Sequence, residues 1–112
     1  MVFVLERSET VIILVDPRFD ADNAPEVEAK LKKIIEKSPK RVLFDFAKTE
    51  YVASAGMRVL LSIARSILQK GGKVVLSSLS PNVRKVFEIA GFTNIFPIFP
   101  TREEALLHLQ ES

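Results

Sequence analysis

The sequence predicts an α/β fold with a mainly parallel sheet. Short apolar runs alternate with helical repeats, helices of ten or more residues separate successive strands, and glycine or proline marks the junctions. A strand that reaches its neighbour through such a helix returns parallel to it, by a right-handed crossover. Only the first strand, joined to the second by a short polar stretch, is expected to run the other way.

Residues 2–5 and 11–15 are apolar and flank the polar stretch 6–10, which reads as a hairpin. After Asp16-Pro17 a polar loop reaches Asp22 or Asn23 as N-cap, with Pro25 in the first turn of a helix. Val27, Leu31, Ile34 and Ile35 recur at helical spacing, and Ser38-Pro39 ends that helix. A strand over residues 41–46 leads to a helix over 54–69, stopped by Gly71-Gly72, and then to a strand over 73–77. Ser80-Pro81 is an N-cap followed by proline at the first helical position, with Val83, Val86, Phe87 and Ala90 as the apolar face and Gly91 as the stop. A strand over 94–99 precedes a last helix, opened by the capping box Thr101-Arg102-Glu103-Glu104 and burying Ala105, Leu106 and Leu109. About four helices and one domain, residues 1–112, are expected, a length that buries about two-thirds of the unfolded surface.

Composition narrows the function. The 112 residues carry a net charge of only +2, with both signs interspersed, so no nucleic-acid footprint is indicated. Cysteine is absent, which removes thiol catalysis and disulfides and fits a reducing, cytoplasmic setting. No run approaches the roughly 20 apolar residues of a membrane span, and residues 1–5 are too short for a signal peptide.

The stretch from Phe44 through Asp45 to Leu61 turns a buried strand into a helix, with Ser54 at the turn. Read as N-cap, Ser54 shares a side of the helix with Arg58, Ser62, Arg65 and Gln69. Met57, Leu60, Ala64 and Ile67 point into the protein, and Val59 and Leu61 border the polar stripe. Gly56 costs about 1 kcal/mol of helix propensity, so a close backbone approach is expected there. Ser54 is then either a plain cap or a functional hydroxyl facing solvent.

Catalysis fails on inventory. A nucleophile elbow needs G-x-S-x-G, but Val52-Ala53-Ser54-Ala55-Gly56 supplies only its second glycine. Every aspartate precedes Ser54 and His108 is the single histidine, so the chain order Ser, Asp, His of that fold is unavailable and a catalytic metal site is not expected. Gly71-Gly72-Lys73 precedes a strand, whereas a phosphate-binding loop follows one, so it reads as a helix stop. Asp45 lacks the companion acids and late Lys-Pro of a receiver domain and reads as structural. No cofactor and no enzymatic activity are expected.

With these residues in view, the chain resembles the STAS domain family, in particular the bacterial anti-sigma factor antagonists. Asp45 matches the family's strand aspartate, Ser54 its phosphoacceptor in the segment D-S-S/T-G-L-G, and Gly56 the glycine of that segment. Gly71-Gly72-Lys73-Val74-Val75, the run from Ser80-Pro81 to Phe87, and Ala90-Gly91-Phe92 match further family segments, and Phe19-Asp20-Ala21 with Ala24 matches the loop before the first helix. The chain departs from the pattern at Ala53 in place of the acid, Ala55 in place of the second hydroxyl, and Met57-Arg58 in place of L-G.

The resemblance implies a single STAS domain that binds an anti-sigma factor serine kinase, frees the sigma factor, and is switched off by phosphorylation at Ser54. A PP2C-type phosphatase would reverse the switch. The implied partner surface comprises Asp20, Asp22, Asn23, Ser54, Ala55, Gly56, Met57, Arg58 and Leu61. Ala53 motivates a second reading, a STAS interaction module that is not phosphorylated at Ser54 and binds a different regulatory partner.

Overall fold

Residues 11–13, 42–44 and 74–76 are apolar at every position, the pattern of strands covered on both faces, and all nine side chains are buried. The structure, a computed structural model, describes residues 3–7 and 9–110, with side chains from residue 9 onward. Its elements are β1 (Phe3–Arg7), β2 (Thr10–Leu14), β3 (Arg18–Phe19), α1 (Ala24–Glu36), β4 (Arg41–Asp45), β5 (Tyr51–Val52), α2 (Ser54–Gln69), β6 (Lys73–Ser77), α3 (Pro81–Ile89), a 3-10 turn (Phe92–Asn94), β7 (Ile98–Phe99) and α4 (Arg102–Gln110).

The main sheet has the order β1-β2-β4-β6-β7, antiparallel between β1 and β2 and parallel elsewhere, as expected. Alternation sends Val11, Ile13, Val42, Phe44, Val74 and Leu76 into the larger core shared with α1, α2 and α3. Ile12, Leu43 and Val75 point to the other face, where α4 covers them with Ala105 and Leu109. Leu106, expected in that core, is only partly buried at its edge.

Capping agrees with the sequence at two helices. The Ser80 hydroxyl accepts the Val83 N–H at 3.3 Å, and the Thr101 hydroxyl accepts the Glu104 N–H at 3.2 Å. Gly91 closes α3 at φ 80°, a left-handed conformation that a side chain would strain.

Two boundaries differ. The polar stretch read as the hairpin connection is largely strand, since Glu6 pairs with Val11 and Arg7 with Thr10, and Glu9 has φ 68°. Val2, expected to begin the first strand, lies outside the described residues. The expected strand over 94–99 shrinks to β7, since the 3-10 turn brings the Phe96 N–H to the Phe92 carbonyl at 3.0 Å and sends both rings into the core.

One buried charge ties the two layers together. Asp45, 3% exposed at the end of β4, accepts Arg102 Nε of α4 at 2.8 Å and the Ala47 N–H at 2.9 Å. Its role is structural, as read from the sequence. Removing one partner of such a pair leaves the other buried and uncompensated; Arg102 is partly solvated, which moderates the cost. Arg102→Ala is expected to destabilise the fold by about 2 kcal/mol. A urea midpoint that does not move would refute the anchoring role.

Candidate functional site

The site is assembled from two short segments that have no periodicity of their own. β3 and β5 form a separate parallel pair, with Arg18 opposite Tyr51 and Phe19 opposite Val52. The Pro17 carbonyl accepts the N–H groups of Glu50 and Tyr51, and the Phe19 carbonyl accepts the Ala53 N–H at 2.9 Å. The loop after β3 therefore lies against the turn that opens α2. Sequence reading missed both strands, since two residues give no alternation to detect.

Within that loop, Asn23 works backwards along the chain. Its Oδ1 accepts the Asp20 N–H at 2.9 Å, and its Nδ2 donates to the Arg18 carbonyl at 2.7 Å and to Asp16 Oδ2 at 3.2 Å. Asn23 is the N-cap position of α1, yet its side chain makes no cap hydrogen bond, because these three bonds occupy it. Asp20 accepts the Asp22 N–H at 3.1 Å and pairs with Arg18 Nε at 3.5 Å, leaving Asp22 exposed.

At the turn itself the N-cap is Ala53, not Ser54, and Ala53 supplies no side-chain acceptor. Ser54 is the first residue of α2 and is exposed. Its expected capping role is corrected: the helix starts one residue earlier than a serine cap would place it, with the Met57 N–H bonded to the Ala53 carbonyl at 2.9 Å. The expected outward orientation holds. Arg58, Ser62, Arg65 and Gln69 are exposed with Ser54, while Met57, Leu60, Ala64 and Ile67 are buried. Leu61 is half-buried at the border, but Val59, expected at the other border, is 7% exposed within the larger core.

Gly56 shows why glycine is needed. A Cβ there would lie 2.6 Å from the Phe19 carbonyl oxygen and 2.9 Å from the Phe19 ring. The helix and the loop can meet only where no side chain intervenes.

Beside Ser54 runs an open groove of about 530 Å³ between α2 and α3. Tyr51, Ser54, Arg58 and Leu61 line one wall, with Met57 beneath. Val86, Ile89 and Ala90 form the other wall, and Val86 and Ile89 are 39% and 79% exposed. Val86 and Ala90 were expected in the core; Val83 and Phe87 fill it alone. The signal was present: Val83, Val86, Phe87, Ile89 and Ala90 spread over more of a short helix than one buried face can take.

The sheet separates His108 from Ser54. His108 lies on α4 with its ring 4.9 Å from that of Phe99, and α4 covers the face opposite α2. A general base must come within hydrogen-bond reach, so His108 cannot activate this serine. Among the described residues no group of three His, Cys, Asp or Glu side chains is placed to hold a metal ion, and no helix is long and apolar enough to cross a membrane.

The close approach at Gly56 has a measurable consequence. Gly56→Ala is expected to cost about 1–3 kcal/mol through overpacking against backbone, and to shift the amide resonances of residues 18–20. A melting temperature equal to that of the parent chain would show that the two segments are not tightly joined.

Comparison with known proteins agrees with this architecture. A family model for the STAS domain matches residues 3–105. BtrV of Bordetella bronchiseptica, described as a candidate anti-sigma factor antagonist, is 45% identical over 83 residues, covering 74% of this chain and 72% of BtrV. The anti-sigma factor antagonist SpoIIAA in its unphosphorylated form superposes with a TM-score of 0.86 at 23% identity, covering 100% of this chain and 98% of that one. SpoIIAA of Bacillus in its phosphorylated form gives 0.77 at 24% identity, covering 96% and 98%. At those identities the superpositions speak for the fold. The family match and the BtrV alignment extend the likeness to sequence, and the chain belongs to the STAS domain family.

Proposed function

We propose that this chain is an anti-sigma factor antagonist, a binding protein rather than an enzyme, acting in the cytoplasm as one domain over residues 1–112. The observation that carries this reading is an exposed hydroxyl, Ser54, on the rim of an apolar groove, with the Asp20 loop beside it and the chain's one histidine across the sheet. Such a serine is suited to be modified, not to attack. The relatives named as anti-sigma factor antagonists support the same role.

In the unphosphorylated state, Asp20, Asp22, Asn23, Ser54, Ala55, Gly56, Met57, Arg58 and Leu61 form or support the surface that docks on an anti-sigma factor serine kinase and so frees the sigma factor. Asn23 and Gly56 contribute by shaping the loop and the turn. Phosphorylation of Ser54 adds about −1.5 to −2 charges to a surface that docking must desolvate, and weakens the complex. The phosphate is well tolerated in the free protein: it sits at the positive end of α2, and Arg58 lies one turn on. A PP2C-type phosphatase would restore the binding form.

Ala53 favours a second reading, in which the module binds a partner without Ser54 being phosphorylated. Incubation with the cognate anti-sigma kinase and ATP, followed by intact-mass measurement, is expected to add one phosphate to the parent chain and none to Ser54→Ala. No added phosphate on the parent chain would favour the second reading. Ser54→Asp is expected to weaken the kinase complex about tenfold or more, roughly 1.4 kcal/mol, while Ser54→Ala leaves it unchanged. Equal affinities for the two variants would remove this turn from the interface.

A further inference from the structure

The groove between α2 and α3 has a charge pattern that its apolar lining does not require. α2 carries Arg58 and Arg65 and no acid along its length, and α3 carries Arg84 and Lys85 against Glu88 alone. Arg58 lines the groove, Lys85 is exposed next to Val86, and Arg18 lies over the Tyr51 ring at 4.7 Å. Arg58 is the charged side chain in the lining; Lys85 and Glu88 flank it on α3, and Arg18 is paired with Asp20. Ile89, Tyr51 and Val86, at 79%, 45% and 39% exposure, cluster on this one feature. Clustered apolar surface with a charged rim marks a docking site, and the sign of the rim selects the partner.

Resting on the reading that this surface docks a protein, we infer that the groove receives an acidic amphipathic helix of the partner. Apolar side chains on successive turns of that helix enter between Leu61 and Ile89, and its carboxylates meet Arg58 and Lys85. A second copy of this chain docked by the same face is a poor occupant, because it would set Arg58 and Lys85 against their own copies. A phosphate on Ser54 acts on the same contact: it neutralises Arg58 and faces the partner's carboxylates with further negative charge.

The test titrates the full chain with a synthetic helix-stabilised peptide bearing leucine along one face and glutamate elsewhere, against the same peptide with lysine for every glutamate. Saturable amide shifts at Ser54, Arg58, Val86 and Ile89 are expected with the acidic peptide alone. Ile89→Ser, Arg58→Glu and added salt should each weaken that binding about tenfold. Ile89 is largely exposed, so its variant keeps the fold. No saturable shift in the groove, or an equal response to the lysine peptide, would overturn the inference. The anti-sigma kinase captured from native cytosol is then titrated with the same variants. Weakening by Ser54→Asp with full affinity for both Ile89→Ser and Arg58→Glu overturns the groove assignment and leaves the antagonist reading standing. Insensitivity to Ser54→Asp removes that reading, and the groove assignment with it.

Discussion

The contact of Gly56 with Phe19 is the constraint on which the site depends. Phe19, in β3, packs on α2 with its carbonyl bonded to the Ala53 N–H and its ring 2.9 Å from where a Cβ at position 56 would be. Because the loop carrying Asp20 closes on the turn carrying Ser54 at this point, a single atom's space limits how closely the two halves meet. The β3–β5 pair holds the same junction from the side. Neither segment buries enough apolar surface to set its own position; each is positioned by the other.

A second set of contacts places the other wall. Phe46, just past β4, meets Phe87 of α3 edge to face at 5.3 Å, Phe87 meets Phe92 at 5.4 Å, and Phe92 meets Phe96 at 5.8 Å. These rings carry α3 on an aromatic row that starts at the end of β4. Asp45, beside Phe46, is pinned by Arg102 from the opposite layer. The groove is therefore bounded by two helices referred to the end of one strand, so its width is a property of the core.

Much of this was legible in the sequence, and the misses have physical causes. Helix and strand periodicity fixed α1, α2 and β6 closely because each buries one well-defined face or is buried on both. Gly56 announced a close approach through its cost in helix propensity, although the sequence did not name Phe19 as the neighbour. β3 and β5 escaped because their pairing is set by tertiary contact and not by alternation. Ser54 was misplaced as a cap because serine is a favoured cap residue, whereas here the first turn begins from Ala53. The α3 wall escaped because Val86 and Ala90 fit the core stripe as well as Val83 and Phe87 do; only the surplus of apolar residues, Ile89 above all, marked a second face.

Ala53 bears on how a phosphate at Ser54 would be held. An acid at the N-cap would accept first-turn N–H groups and place a negative charge beside the phosphate. Alanine brings no acceptor, so the positive end of α2 receives no side-chain cap at that position. A phosphate on the adjacent Ser54 would meet the helix dipole without a competing carboxylate, and Arg58 one turn on would add a cation to the same side. Were Ser54 phosphorylated, alanine at position 53 would spare the modified turn a charge repulsion and would change what a kinase meets there. These effects would fall on different states, the phosphorylated protein and the encounter with a kinase, so the same alanine would act separately on each.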